Sequence, residues 1–235
     1  MNTNKLHKTC NVFCDASINL QTHIACAGAI FANEDGSEII TEYQILQNMA
    51  TNNSAEILAV LTALRAALSI REIYGYDQFN IFSDSKISIF GLRDWIYGWV
   101  EKQTMSTGYF IGSNGEPVKN QDYFKECVRL IVDNNLHVNF FHQHGHVNTQ
   151  NNEKVTNAYV SFIKYNRIAP EDAGMNIGYA CYYNNLVDVR TKNTLESIKQ
   201  GQDPHVPWEY KNPIIYCISK EDINRYRKLT KLRYA

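Results

Sequence analysis

The spacing of the apolar residues predicts three strands and then a helix at the start of the chain. Short β-favouring runs lie at residues 11–17, 24–31 and 39–46. Turn residues separate the second run from the third, which predicts an antiparallel meander. Over residues 55–70 the apolar side chains recur at helical spacing, and this predicts an amphipathic helix with Asn53 or Ser54 as its N-cap.

The next part of the chain alternates between strands and helices. A strand that ends at Asp84 follows the first helix, so that strand, helix and parallel strand form a crossover unit. The remaining patterns predict helices at 85–92, 95–101 and 123–132, a strand at 137–142 and a helix at 152–165. This order predicts an α/β fold with a mixed five-stranded sheet flanked by helices.

The pattern divides the chain into three predicted regions. Residues 1–9 are polar, which predicts a flexible arm. One globular domain is predicted at residues 10–167. Beyond it, prolines and aromatic residues occur without a sustained period, and residues 168–235 are predicted to be a C-terminal extension of unknown fold.

Composition and charge restrict the classes of function. The formal net charge of −1 excludes a uniformly basic nucleic-acid binder, so any polyanion must be held by local positive charge or by metal. The six cysteines include no C-x-x-C pair, and no apolar run opens the chain, which predicts a reduced, cytoplasmic (intracellular) protein. No run approaches the ~18 apolar residues of a membrane span, so no membrane association is predicted.

Three carboxylates occupy comparable places at the edges of predicted elements. Asp15 and Asp84 each end a β-favouring run, and Glu56 belongs to the segment that opens the first helix. Carboxylates gathered at one sheet edge repel one another unless a divalent cation neutralises them, and a set without His or Cys favours Mg²⁺ or Mn²⁺. Two such ions suit hydrolysis of a phosphodiester. The alternative is that Asp15 and Asp84 merely end strands and that Glu56 lies at a helix N-terminus, where the helix dipole favours a negative charge.

An ordered set of short motifs carries a family resemblance over residues 10–165. The motifs are FCDAS (13–17), GAI (28–30), ATNNSAE (50–56), FSDS (82–85), WIYGW (95–99), PVKN (117–120), GH (145–146) and NE (152–153). In this order and spacing the chain resembles a type I ribonuclease H. The resemblance implies a ribonuclease H-like fold for the predicted domain and cleavage of the RNA strand of RNA/DNA hybrids with two Mg²⁺ or Mn²⁺ ions, leaving 5′-phosphate and 3′-hydroxyl ends.

The resemblance also implies roles for individual residues. Asp15, Glu56 and Asp84 would be catalytic metal ligands, and His146 would be a catalytic histidine that assists proton transfer or product release. The positions implied to bind substrate are Thr51, Asn52, Asn53, Trp95, Lys119 and Asn120. The first three match the segment that reads the minor groove, where short polar side chains can bond 2′-hydroxyls. The tryptophan matches an aromatic beside the DNA strand, but it is at a spacing equally typical of a helix core.

The sequence departs from the family at its fourth carboxylate. Register places Thr156 there, whereas chemistry favours its neighbour Asn157, which keeps the shape of Asp and one carbonyl ligand. With Asn157 as the ligand, one metal site is expected to be weaker, which favours Mn²⁺ or a high concentration of Mg²⁺.

A second departure concerns the grip on the hybrid. Residues 101–116, where many bacterial members carry a basic protrusion, contain Lys102 as their only basic residue. The basic stretch at residues 220–233 is a candidate replacement as a phosphate grip, and the alternative for it is an ordinary solvated helix.

Three other functional interpretations stay open at this point. The first is a ribonuclease H-fold module that binds nucleic acid without cutting it, because the fourth carboxylate is missing. The second is another nuclease of the same superfamily that acts on DNA. The third is a zinc site in the run His142-x-His144-x-His146, of which only His146 matches the family.

Overall fold

Five strands form one mixed sheet at the centre of the protein. The computed structural model describes residues 8–46, 51–104, 106, 108–202 and 217–231. The strands are β1 Thr9–Asn19, β2 Ile24–Ala32, β3 Glu38–Leu46, β4 Gln78–Ser83 and β5 His137–His142, in the order β3-β2-β1-β4-β5. The first three pair antiparallel, while β4 pairs parallel with β1 and β5 parallel with β4. The predicted α/β fold with a mixed five-stranded sheet is therefore confirmed.

The strands are joined and covered by helices. The described helices are α1 Asn52–Tyr74, α2 Lys86–Phe90, a π-helical turn Gly91–Trp95, α3 Ile96–Glu101, α4 Gln121–Asp133, α5 Asn152–Asn166, a 3₁₀ turn Glu171–Ala173, α6 Ile177–Lys199 and α7 Lys220–Leu229. The prediction of Asn53 or Ser54 as the N-cap of α1 was wrong, because Thr51 holds that place. The Thr51 hydroxyl accepts from the Ser54 N–H, and the Ser54 hydroxyl accepts from the Thr51 N–H, so the reciprocal capping box starts the helix earlier.

The two faces of the sheet carry separate hydrophobic cores. Alternation along β1 directs Val12 and Cys14 into the larger core, which contains α1 and α4. Phe13 points to the opposite face and stacks on Tyr183 of α6 with ring centroids 5.0 Å apart. The sheet is thus covered on both faces, and α6 supplies part of the second cover.

The chain beyond residue 166 contains two helices that belong to these cores. Helix α6 lies along β1 and β2. Helix α7 joins the larger core through Ile223, Tyr226 and Leu229, and the Tyr226 hydroxyl donates to the Leu92 carbonyl at 2.8 Å. The C-terminal extension, for which no fold was predicted, thus contributes two docked helices. Of the predicted arm, residues 1–7 lie outside the described part of the chain, and β1 begins at Thr9.

Buried amides attach the segment after α5 to the sheet. Asn80 donates to the Asn11 side chain at 3.1 Å and to the carbonyl of Ala173 at 3.0 Å, and Asn139 donates to Asn80 at 2.9 Å. Because buried amides without partners cost free energy, this ladder favours one position for the chain that leads into α6. Among the described residues, no helix is both long and apolar enough to cross a membrane.

Candidate active site

The parallel pairing of β1 and β4 brings two of the predicted carboxylates together. The last parallel pair joins Phe13 to Phe82, so Asp15 and Asp84 each lie two residues beyond it at the same edge of the sheet. Glu56 approaches from the start of α1. One carboxylate oxygen from each of the three acids lies within 4.8 Å of the others.

Burial and mutual repulsion make this cluster costly when all three acids are ionised. Asp15 is 4% exposed, and burial followed by the charge of Asp84 raises its pKa to about 8. Burial, followed by the charge of Asp15, raises the pKa of Glu56 to about 9. Burial also raises the pKa of Asp84. Since the Glu56 Oε2 atom is buried without a hydrogen-bond partner among the described residues, the cluster fits a divalent cation.

Helix α6 brings a fourth carboxylate to the same cavity. Asp188 is 9% exposed and lines a cavity of about 600 Å³ together with the three acids. Its charge contributes to the raised pKa values of Asp15, Glu56 and Asp84. Asp188 was not among the predicted ligands, because it lies in a part of the chain whose apolar residues show no recognisable helical period.

Two positively charged or chargeable groups contact Asp188. The Lys192 Nζ atom donates to its Oδ2 atom at 2.6 Å. The Nδ1 atom of His146 lies 3.7 Å from the same oxygen. The His146 side chain is 71% exposed, and its backbone has a φ of 53°, so the residue sits in a left-handed turn at the rim of the cavity.

The structure does not bring Asn157 to the carboxylates, in contrast to the prediction. Thr156 and Asn157 are both exposed on α5, and neither lines the cavity. The buried residues of α5 are Ala158 and Phe162, and the helix contacts β5 and α6. Helix α6, and not α5, packs against β1 on this face of the sheet. The fourth carboxylate in the cavity is therefore Asp188 of α6.

Asp84 is held from two sides by residues close to the cavity. The Asn184 amide of α6 donates to the Asp84 Oδ2 atom at 3.5 Å, and its own oxygen accepts from Gln143. A side chain at Gly145 would place its Cβ atom 1.9 Å from the Asp84 Oδ2 atom. The glycine of the GH motif is therefore required for space, and the close approach restricts the position of the carboxylate.

A glycine on β2 allows α6 to lie close to the sheet. A Cβ atom at Gly28 would lie 2.6 Å from the Thr191 methyl group and 3.1 Å from a methyl group of Val187. The hydroxyls of Thr191 and Ser17 are hydrogen-bonded at 2.8 Å. Asp188 is one turn from Thr191, so this close contact sets the depth at which the fourth carboxylate enters the site.

Gly28→Ala is expected to destabilise the fold by about 1–3 kcal/mol, because the added methyl group would push α6 away from β2. Chemical denaturation measures the loss. Thr191→Ser removes the methyl group in closest contact but keeps the hydroxyl, so adding it to Gly28→Ala should recover part of the loss. An unchanged free energy of unfolding for Gly28→Ala would contradict the close-packing explanation.

The predicted substrate-binding residues fall into two groups. Asn52 lines the cavity, and Thr51 and Asn53 are exposed beside it at the start of α1. The others do not line the cavity. Trp95 is 44% exposed and packs edge-on against Phe90, whereas Lys119 and Asn120 precede α4.

The histidine run does not assemble as a metal site. His142 is buried, and its Nε2 atom lies 3.1 Å from the backbone oxygen of Asp84. Burial lowers its pKa to about 4. In the part of the chain that the structure describes, Asp15, Glu56 and Asp84 form the only group of three or more possible His, Cys, Asp or Glu ligands.

The metal-free protein is expected to lose stability as the pH rises from about 4 to about 9. The acids have pKa values near 4 in an unfolded chain but reach about 8 for Asp15 and about 9 for Glu56 in the fold. The folded state therefore holds extra protons in this window, and the stability they provide is lost as they leave. We expect a loss of about 2 kcal/mol or more, which is about 4–8 °C in Tm.

Thermal unfolding in EDTA across this pH range tests the expectation. The Glu56→Gln variant is the control, because it keeps the side-chain shape and removes one titrating group, so its Tm should fall less than that of the wild type. Mg²⁺ or Mn²⁺ at pH 8 should restore part of the lost Tm. If Tm fell equally with pH in the two proteins, the loss of stability could not be assigned to the titration of Glu56.

One protein family matches the larger part of the chain. The sequence profile of the RNase H family matches residues 7–160, more than half of the chain. The chain therefore belongs to the RNase H family of enzymes.

Individual relatives are distant. A Ribonuclease H from Campylobacter curvus is 34% identical over 82 residues, which are 35% of this chain and 47% of that protein. A Ribonuclease H from Rickettsia felis is 31% identical over 120 residues, which are 48% of this chain and 69% of that protein. The crystal structure of RNase H1 from Halobacterium salinarum matches 52% of this chain and 74% of its own, with 20% identity and a TM-score of 0.35. The chain thus spans about half the length of the first of these relatives.

Proposed function

We propose that this protein is an endoribonuclease that hydrolyses the RNA strand of RNA/DNA hybrids by two-metal-ion catalysis, with 5′-phosphate and 3′-hydroxyl products. The observation that carries the proposal is the group of Asp15, Glu56 and Asp84, whose oxygens lie within 4.8 Å of one another at the edge of an open cavity. Membership of the RNase H family supports the same substrate class.

The donor set suits hard divalent ions. Asp15, Glu56 and Asp84 would hold Mg²⁺ or Mn²⁺, because all three offer carboxylate oxygens and Glu56 has a buried oxygen without a partner among the described residues. When bound, two such ions would activate a water nucleophile and stabilise the leaving oxygen of the phosphodiester. In the metal-free protein the pKa is raised to about 8 for Asp15 and to about 9 for Glu56, so metal binding would release protons from these two acids.

Asp188 replaces Asn157 as the fourth ligand in this proposal. It lines the cavity, whereas Asn157 is exposed on α5. Asp188 supplies a fourth carboxylate, which is paired with Lys192 at 2.6 Å, so the expected preference for Mn²⁺ can no longer rest on a missing carboxylate. It also removes the main reason for a module that binds hybrid without cutting it.

His146 would move a proton at the leaving oxygen. Its Nδ1 atom faces Asp188 at 3.7 Å, which leaves the Nε2 atom on the other side of the ring for the substrate. The exposure of the ring and its place in a turn allow it to approach and leave the bound strand. Asp188 would orient the ring during this transfer.

The surroundings of the cavity suit a strand that carries 2′-hydroxyls. Asn52 at the cavity, together with Thr51 and Asn53, would bond the 2′-hydroxyls through the minor groove. Trp95, with its exposed ring, and the Lys119–Asn120 pair would contact the DNA strand farther from the scissile bond.

Digestion of a hybrid with labelled RNA, in Mg²⁺ and Mn²⁺ in parallel, tests the proposal. We expect cleavage within the RNA strand and no cleavage of double-stranded RNA, double-stranded DNA or the DNA strand. EDTA should stop the reaction, and mapping of the product ends should give 5′-phosphates. Binding of hybrid without cleavage in either metal would support the binding module instead, and cleavage of double-stranded DNA would support the other nuclease class.

A further inference from the structure

Basic side chains surround Tyr165 on the surface near the candidate active site. The Lys86 Nζ atom donates to the Tyr165 hydroxyl at 3.1 Å and lies 4.6 Å from the centre of its ring. The Lys164 Nζ atom lies 5.6 Å from the same centre. Arg93 and Arg167 line a cavity of about 410 Å³ together with Lys164 and Tyr165. These five residues are called the Tyr165 patch below.

Most of the positive charge in the Tyr165 patch faces solvent. Among the described residues, Asp94 is the one acid that lines the cavity, and it is paired with Arg93 at 3.0 Å. Lys86, Lys164 and Arg167 are all exposed. Lys164 and Arg167 both line the cavity, and Asp94 is already paired with Arg93, so an external anion would stabilise this arrangement of cations.

The Tyr165 patch is directly connected to the proposed metal ligands. Lys86 follows Asp84 by two residues and begins α2. The His142 ring packs edge-on against Tyr165 with centroids 4.8 Å apart, and its Nε2 atom lies 3.1 Å from the Asp84 backbone oxygen. A strand that lies over the carboxylates can therefore continue onto the patch.

The other basic region of the chain is less suited to this role. Helix α7 is packed against α3 and α4. Arg225 donates to the Val132 carbonyl at 2.9 Å, and the Arg227 guanidinium lies 4.6 Å from the centre of the Tyr97 ring. Two of the basic residues in the stretch 220–233 therefore hold α7 against the rest of the protein and are less available to bind phosphate.

We propose that the Tyr165 patch binds backbone phosphates of the hybrid away from the scissile bond. This proposal rests on the proposed function for the identity of the nucleic acid. Residues 101–116 offer Lys102 as their only basic residue, and among the described residues the cavity is lined by more acidic than basic side chains, so positive charge outside both regions would strengthen binding. The patch supplies it on Lys86 of α2, Arg93 of the π-helical turn, Lys164 of α5 and Arg167 just after α5.

A pair of matched triple variants tests the patch. The patch variant carries Lys86→Gln, Lys164→Gln and Arg167→Gln. The control variant carries Lys220→Gln, Lys228→Gln and Lys231→Gln. It loses the same number of positive charges, two from α7 and one just after it. Both are made in the full chain with Asp84→Asn, so that bound hybrid is not cut. Binding of a fluorescently labelled hybrid is measured over a range of salt concentrations, and Tm is measured for each protein to check folding.

We expect the patch variant to weaken binding most at low salt. Each lost phosphate contact flattens the slope of log affinity against log salt by about 0.9, so three contacts would flatten it by about 2.7. The control should keep the slope of its Asp84→Asn parent. Equal slopes for the patch variant and its parent would overturn the proposal. So would a slope that flattens in the control alone or equally in both variants.

If the triple variant has a lowered Tm, a single substitution in the patch still tests the proposal. Lys164→Gln alone should flatten the slope by about 0.9 without breaking the bond between Lys86 and Tyr165. Cleavage by the wild type is measured separately. Failure to cut hybrid would reject the proposed function, whereas cutting combined with unchanged slopes would reject only the patch.

Discussion

Asp84→Asn is expected to abolish hybrid cleavage and leave the fold intact. The change removes one charge from the group of three carboxylates but keeps the side-chain volume, which matters because Gly145 lies against Asp84. Loss of a metal-binding carboxylate should remove about 4 kcal/mol or more of transition-state stabilisation, a reduction in rate of about 10³-fold or more. Initial rates on labelled hybrid at saturating Mg²⁺ measure it.

Asp133→Asn is the matched control for this result. Asp133 is an exposed carboxylate on α4 that pairs with Arg129 at 3.8 Å, outside the cavity. Its replacement should leave the rate within about twofold of the wild type, since exposed ion pairs contribute little. The Tm of metal-free Asp84→Asn should equal or exceed that of the wild type at pH 8, because one repelling charge is gone. Undiminished cleavage by Asp84→Asn would remove the catalytic assignment.

Asp188→Asn is expected to lower the affinity for metal as well as the rate. Asp188 lies in the cavity with the three other acids, so its charge contributes to the attraction of a divalent ion. We expect a loss of about 10- to 100-fold in affinity for Mn²⁺, measured by calorimetry without substrate, so that the result does not depend on cleavage. Cleavage should fall at limiting metal and recover in part at high metal.

Substitutions on α5 test whether the fourth ligand is Asp188 or one of the α5 residues to which the sequence register points. Thr156→Asp and Asn157→Asp each add a carboxylate at an exposed position, so neither should change the metal titration. The same additions would lower the metal requirement if one of these positions completed the site. That outcome, together with an unchanged titration for Asp188→Asn, would return the fourth ligand to α5.

The three carboxylates were predictable from local pattern. Asp15 and Asp84 follow apolar runs that pair as neighbouring parallel strands, and residues just beyond such a pair meet at one edge of the sheet. Glu56 comes from the start of the crossover helix between them. Short-range order and the handedness of the crossover are enough to bring these groups close together.

The fourth carboxylate was not predictable in the same way. The buried face of α6 includes the polar residues Asn184, Asp188 and Thr191, because this face meets the active-site edge of the sheet as well as the apolar core. A search for apolar residues at helical spacing does not recognise such a helix. The period becomes visible when buried polar residues are counted with the apolar ones.

The sequence by itself determined the succession of strands and helices along the chain, the crossover and the three acids that it brings together, because each depends on neighbouring residues and on the pairing of strands. Only the tertiary structure decided which helix covers β1 and β2. Helix α5 begins at Asn152, soon after His146, and has its own apolar residues, yet on the face opposite α1 it is α6 that covers these strands, where Gly28 leaves room for Thr191. The position of Asp188 thus depends on close packing between segments far apart in the chain, which no local pattern records.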